Sequence, residues 1–164
     1  MSETTTHEYL NRVKTHLVER FDDLDLDQSD LVVEQKNSSK GCRKYIQKLK
    51  LKYNCSRCSN KWTSSKGTTV FYYEFSKSSQ GRVTLRFKVE TFMQDCLRCH
   101  NMGLVTHYPQ ESTRISEKFA ERILQLADFT ERPERLGRLG SKMASEHEKE
   151  LCHACKRGVC SLGE

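Results

Sequence analysis

The chain has 164 residues, of which 35% are hydrophobic and 30% are charged, with a mean hydropathy of −0.76 and a formal charge of +6. This length fits one domain with tails, and so thin a core usually needs disulfides or metal. No run approaches the roughly 18 apolar residues that span a bilayer, and the polar, acidic N-terminus lacks the features of a signal peptide. We therefore expect a cytoplasmic protein whose eight cysteines stay reduced and favour metal binding.

The N-terminal region predicts one helix and one loop. Apolar residues recur at helical spacing from residue 5 to residue 21, which indicates an amphipathic helix. Residues 22–30 are rich in Asp and predict an exposed loop. We group residues 1–35 as an N-terminal helix with an acidic loop, and residues 36–162 as a zinc-binding domain.

A basic stretch follows this loop. Residues 36–66 contain ten Lys and Arg and no Asp or Glu. Such a stretch fits RNA phosphates, an anionic membrane surface, acidic receptor tails or a merely solvated face. Three aromatic residues lie within it and could stack on unpaired bases: Tyr45, Tyr53 and Trp62. For Trp62, packing beside the neighbouring cysteine pair is the simpler expectation.

The middle of the chain predicts strands. Residues 48–54 alternate charged and apolar side chains, residues 68–75 are rich in β-branched and aromatic types, and residues 82–89 alternate with period two. The polar, Gly-ending link 76–81 makes the last two strands an antiparallel hairpin.

The C-terminal part predicts a second helix over residues 112–128, and then a charged, flexible connector over residues 130–150. The fold class expected is α+β: a small antiparallel sheet stapled by zinc, with a ribbon-like hairpin and two flanking helices.

Seven of the eight cysteines form a pattern typical of structural zinc sites. Three CxxC pairs precede a Gly-x-Cys ending: Cys55 and Cys58, Cys96 and Cys99, Cys152 and Cys155, and Cys160. Two thiolates from one tight turn bind one ion, and Zn²⁺ requires four N or S ligands in a tetrahedron. We therefore expect two structural zinc ions.

The hairpin brings the first two pairs to the same end, so they form the first predicted site. The second takes Cys152, Cys155 and Cys160. His147 is the favoured fourth ligand, with His100 and His153 as alternatives, and ligands swapped between the sites fit the spacing as well. Cys42 is expected to be a partly buried free thiol.

Other uses of the cysteines are less well supported. A redox CxxC requires a βαβ context that is missing from the pattern, and disulfides require export. A catalytic zinc requires an open coordination position and a nearby base. We therefore expect no enzymatic activity and no small-molecule substrate.

The order of these motifs resembles the three-CxxC zinc-finger domain of the receptor-transporting protein family, over roughly residues 45–162. The resemblance rests on Trp62 four residues after Cys58, on the Gln-Gly-Arg-Val run that begins at Gln80, and on the Gly-x-Cys ending at Cys160. Members of that family typically carry a C-terminal transmembrane helix, which this sequence lacks.

The resemblance implies a non-enzymatic adaptor or chaperone for G-protein-coupled chemosensory receptors. It would bind their cytoplasmic regions and promote folding and delivery to the cell surface. Zygote arrest proteins share the domain type and bind messenger RNA, which implies an alternative: RNA binding through residues 36–66. In either case we expect a cytoplasmic location, with peripheral contact to membranes as a further alternative.

Overall fold

The protein is α+β, and its described residues form a mixed six-stranded sheet and two main helices. The structure is a computed structural model that describes residues 3–131 and 148–160. The strands in these residues are β1 (Leu31–Gln35), β2 (Arg43–Cys55), β3 (Lys61–Lys77), β4 (Val83–Thr91), β5 (Gln94–Asp95) and β6 (Met102–His107). The helices are α1 (Glu3–Asp23), α2 (Pro109–Leu126) and α3 (His153–Lys156), with 3-10 turns at Gln28–Asp30 and Lys149–Leu151.

The sheet has the strand order β1-β4-β3-β2-β6-β5. Its centre is an antiparallel meander of β2, β3 and β4, and β4 buries every second residue, as its alternating sequence predicts. β1 pairs parallel to β4, with Leu31 opposite Val83. The predicted antiparallel pairing holds from β2 to β6, and β1 adds one parallel pairing because the chain after α1 runs alongside β4 in the same direction.

The main core lies between the sheet and the two long helices. α1 buries one apolar stripe, which includes Val13 and Leu17, and α2 buries another, which includes Phe119. The ring of Phe119 stacks on that of Phe71 in β3, with centroids 4.3 Å apart. The helices predicted over residues 5–21 and 112–128 are thus confirmed as flanking elements.

A smaller apolar cluster lies on the other face of β3. Val70 and Tyr72 belong to this cluster, whereas Phe71 and Tyr73 belong to the main core. Successive residues of a strand point to opposite faces, so the centre of β3 is buried on both sides. Phe92 and the segment after residue 148 complete this second cluster.

Asp22 and Asp23 belong to the last turn of α1, and residues 24–30 form turns and one 3-10 turn, as expected of a loop. The sequence did not predict β1, β5 and β6. Most of the connector assigned to residues 130–150, and His147 with it, lies outside the described residues. No helix in residues 3–131 and 148–160 combines the length and the apolar character that crossing a bilayer requires.

Candidate metal centres

The first two CxxC pairs bring four sulfur atoms together. The Sγ of Cys55 is 3.4 Å from that of Cys99, and the Sγ of Cys58 is 3.7 Å from that of Cys96 and 3.6 Å from that of Cys99. All four lie within 4.8 Å of one another. In a tetrahedral ZnS₄ site with Zn–S bonds of ~2.3 Å, the sulfurs are about 3.8 Å apart. The group therefore fits one tetrahedral zinc ion.

Two similar turns hold this group. In each turn the first cysteine donates its backbone N–H to a carbonyl five residues later: Cys55 to Asn60 at 2.9 Å, and Cys96 to Asn101 at 2.8 Å. The underlying sequence is Cys-x-Arg-Cys-x-Asn in both places. The matching asparagines are a signal that the sequence prediction missed.

Sheet pairing places the two turns side by side. The first follows β2 and the second joins β5 to β6, while β6 pairs with β2 so that Cys55 lies opposite Gly103. The predicted hairpin of β3 and β4 brings the chain back toward the first turn. However, β4 ends opposite Thr69, well short of Lys61, where β3 begins next to that turn. It is therefore the β2–β6 pairing that completes the site.

Hydrogen bonds around the sulfurs favour thiolates. The backbone N–H groups of Arg57 and Cys58 donate to Cys55 Sγ at 3.4 and 3.3 Å, and Asn60 Nδ2 donates to Cys96 Sγ at 3.4 Å. Burial opposes ionisation of Cys96, yet the bonds from Asn60 and from backbone N–H groups lower its pKa to about 6.

The neighbouring cysteines hinder one another's ionisation. A backbone hydrogen bond from Asn60 favours the thiolate of Cys58, but burial and the three adjacent cysteines raise the pKa of Cys58 to about 11. Four clustered thiolates repel one another, and a divalent cation is the charge that stabilises them together.

The third CxxC pair forms a separate group with Cys160, and the three sulfurs lie within 4.8 Å of one another. Cys152 precedes α3, and Cys155 lies in it. Gly158 then adopts a φ of 63°, which glycine tolerates, and the backbone N–H of Val159 donates to the Ala154 carbonyl at 3.0 Å. This reversal explains the Gly-x-Cys ending, because it returns Cys160 to the pair.

The second group is anchored on the sheet. Cys152 bridges to Gln94, and Lys48 Nζ lies 3.1 Å from Cys160 Sγ and 2.6 Å from Thr68 Oγ1. Burial, together with hydrogen bonds to the other two thiols, raises the pKa of Cys155 to about 12. Lys48 therefore supplies positive charge beside a crowded set of thiols, a role that the sequence prediction did not assign to it.

The histidines and Cys42 lie outside both groups, as far as the described residues reach. His153, an alternative fourth ligand, has its Nε2 2.6 Å from Asp95 Oδ1, and His100 is exposed in the second turn. Cys42 is half-buried against the smaller apolar cluster, with its Sγ 3.6 Å from the Ser38 carbonyl. The sulfurs group as four and three, without the interleaving that spacing alone left open, and no cysteine is in a disulfide.

Trp62 packs against β2 and β6, the strands whose pairing forms the first group. It stacks on Tyr53 with centroids 5.4 Å apart, and its Nε1 donates to Gln94 Oε1 at 3.2 Å. A Cβ added at Gly103 would lie 2.4 Å from the Trp62 ring, so the ring occupies the space that a side chain would need. Trp62 thus packs beside the first cysteine turn, as expected.

Two knuckle-like turns on a sheet, with a second cysteine group beside them, define a zinc-ribbon type of protein. Residues 48–158, more than half of the chain, match the family model Zn_ribbon_3CxxC, described as a zinc-binding domain. The chain therefore belongs to the 3CxxC zinc-ribbon family. No curated protein and no solved structure matches it. The groups of four and three cysteines in such a domain are consistent with two structural zinc ions.

Proposed function

We propose that the protein is a non-enzymatic, zinc-stabilised adaptor that acts by binding other molecules at its surface. Four thiolates fill the coordination sphere of one zinc ion, which leaves no position for a substrate at the first group. Zinc in this arrangement holds the turns in place rather than activating water. The activity therefore belongs to a surface that the zinc keeps rigid.

One sheet surface is suited to binding, and we call it the acid-free face. It consists of the exposed, outward positions of β2, β3 and β6: Lys50, Lys52, Asn54, Lys61, Thr63, Leu104 and Thr106. Lys52 lies opposite both Thr63 and Thr106, and Asn54 lies opposite both Lys61 and Leu104, so these side chains form one continuous patch. Residues 36–66 and 96–110, which supply it, contain no Asp or Glu.

The lysines of this face are available to a partner. The side chains of Lys50, Lys52 and Lys61 form no ion pair with a carboxylate among the residues that the structure describes. The one carboxylate contact recorded for these three residues is from the backbone N–H of Lys50, which donates to Glu111 Oε2 at 2.9 Å. The ammonium groups of Lys50 and Lys52 lie 5.4 and 4.7 Å from the centroid of the Tyr108 ring, which keeps them on the surface. This unpaired row of lysines is the observation that carries the proposal, because it favours an acidic partner.

We propose that the partner is an acidic cytoplasmic region of a membrane receptor of the G-protein-coupled type, and that the protein acts in the cytoplasm. The support for this partner is the resemblance to receptor-transporting proteins, together with the charge of the acid-free face. Complementary charge would speed association and exclude basic partners.

The test is receptor delivery in cells. The chain would be co-expressed with a panel of chemosensory receptors, and the surface fraction of each receptor would be measured beside receptor co-precipitation. We expect a gain for at least one receptor, and loss of that gain in the Lys50→Glu/Lys52→Glu variant. Lys14→Glu/Lys118→Glu, at exposed positions of α1 and α2, is the matched control. If no receptor in the panel responds, or the control loses the gain equally, the proposal fails.

RNA binding is the second candidate, because the same lysines suit phosphates. The aromatic residues that would stack on bases are engaged in packing: Tyr53 and Trp62 stack on each other, and Tyr45 lies 5.6 Å from the Phe119 ring, centroid to centroid. RNA would therefore be held mainly through its backbone. Affinity for an RNA oligonucleotide should then fall linearly with salt on logarithmic axes, with little dependence on sequence.

A further inference from the structure

The end of the sheet that carries the first cysteine group exposes unusual apolar side chains. Of the four large hydrophobic residues recorded as exposed in the described part of the chain, three lie here: Leu97 (68% exposed), Leu104 (49%) and Met102 (41%). We call these three the apolar tip. Single exposed hydrophobic residues are common, but three at one end of a domain with a thin core indicate a binding surface.

The cysteine turns hold the apolar tip together. Leu97 lies in the turn between β5 and β6, which the bond from Cys96 N–H to the Asn101 carbonyl closes at 2.8 Å. Met102 and Leu104 are alternate residues of β6 and so project from the same side of the sheet. The N–H of Ser56, in the other turn, donates to the Met102 carbonyl at 3.0 Å. Both turns therefore support the tip.

Positive charge surrounds the apolar tip. Arg57 and Arg98 are exposed, one in each cysteine turn, and Leu104 lies across Asn54 from Lys61 on the acid-free face. Neither arginine has a carboxylate partner among the described residues. Aliphatic side chains at a rigid tip with cations beside them match the boundary between acyl chains and anionic headgroups.

We propose that the apolar tip and its basic surround bind the surface of bilayers that contain anionic lipid. The aliphatic side chains enter the headgroup boundary, while Arg57, Arg98 and Lys61 contact lipid phosphates and carboxylates. RNA fits this surface less well, because Leu97 and Leu104 gain nothing from phosphates and offer no ring for a base to stack on. The inference goes beyond the proposed adaptor function and requires no receptor.

The test uses the zinc-loaded full chain and protein-free vesicles. Flotation would compare vesicles of phosphatidylcholine alone with vesicles that contain about one third phosphatidylserine. We expect binding to the anionic vesicles only. The Leu97→Ser/Leu104→Ser variant should bind about tenfold more weakly, and Lys61→Gln about fivefold more weakly.

The chain offers matched controls. Ile46→Ser removes the fourth exposed hydrophobic residue, which lies opposite Val70, away from the tip, and Lys118→Gln removes an exposed charge from α2. Both should bind like the wild type. Zinc content and circular dichroism identify any variant that fails to fold; for such a variant, the milder Leu104→Thr replaces the pair and should still weaken binding.

A direct measure of insertion completes the test. In the Leu97→Trp variant, lipids brominated in their upper acyl chains should quench the added fluorescence, whereas Trp62 in the wild type should be unaffected. Equal binding to both kinds of vesicle, unchanged binding of Leu97→Ser/Leu104→Ser, or binding of an RNA oligonucleotide without binding of vesicles would overturn the proposal. None of these results bears on receptor delivery, so the two proposals fail separately.

Discussion

The two cysteine groups lie close to one sheet but are built in different ways. The first joins turns far apart in sequence, with Cys55 and Cys99 separated by 44 positions, and depends on the pairing of β2 with β6. The second arises within one short segment, residues 152–160, which lies against Val70 and Phe92 on the face opposite the long helices. The first group should therefore determine whether the sheet forms, and the second whether one segment stays attached to it.

Loss of the first group should have the largest effect. Structural zinc contributes roughly 10–16 kcal/mol of apparent binding free energy, as much as the roughly 5–15 kcal/mol net stability of a whole domain. Cys96→Ser should therefore leave the chain largely unfolded, with neither zinc ion bound, as measured by circular dichroism and zinc stoichiometry. A strong chelator should have the same effect on the wild type.

Cys42→Ser is the matched control, since Cys42 lies outside both groups. It should keep two zinc ions and a native spectrum. Loss of one zinc equivalent in this variant would show that Cys42 is a ligand and that the proposed ligand set is wrong.

Loss of the second group should have a smaller, local effect. Cys155→Ser should lose one zinc ion and release residues 148–160, at a cost of about 1.5–3 kcal/mol for each large apolar side chain uncovered. Hydrogen exchange should rise in this segment and stay low in β3 and β4. Global unfolding of this variant would remove the distinction between the two groups.

Variants of the candidate fourth ligands test the second group further. His147→Ala should reduce zinc occupancy to one equivalent, with the first group intact, whereas His153→Ala should keep both ions because His153 is engaged with Asp95. Retention of two zinc ions by His147→Ala would exclude His147 as a ligand.

The two groups also differ in what the sequence could reveal. Spacing alone identified the CxxC pairs, because a tight turn must present both thiolates to one ion. The sequence pattern did not predict β6, because its exposure is the reverse of what the residue types suggest. Gly103 is buried under Trp62, while Leu104 beside it is exposed. The pattern missed β1 because that strand has five residues and pairs in parallel with a distant partner. Local patterns predicted local structure, and long-range pairing had to come from the structure.

Gly103 tests the contact that braces the first group. Gly103→Ala should destabilise the protein by about 1–3 kcal/mol, because the new methyl group would lie 2.4 Å from the Trp62 ring and 2.8 Å from the Gln94 carbonyl oxygen. Urea unfolding of zinc-loaded protein measures this cost. In the double variant Gly103→Ala/Trp62→Leu the two effects should be clearly non-additive. Additive effects would mean that the strain arises elsewhere.

The smallest effect concerns His107, a half-buried residue at the end of β6 whose ring contacts Tyr9 of the main core. Burial lowers the pKa of His107 below 6.5, and its Nε2 lies 2.9 Å from Thr91 Oγ1, with its ring 5.8 Å from that of Tyr9, centroid to centroid. Below pH 6.5 the imidazole of His107 becomes protonated in the unfolded chain but stays neutral in the folded chain. The stability that neutral His107 contributes is therefore fully present above that pH. It then falls, at up to about 1.4 kcal/mol per pH unit, until the folded pKa is reached.

Acid also protonates the zinc-bound thiolates, so the measurement must be a difference. The free energy of unfolding of the wild type minus that of His107→Gln should be constant above pH 6.5 and decrease below it, because only the wild type carries the buried imidazole. A flat difference for His107→Gln would show that acid destabilises the protein through the cysteine groups and not through His107.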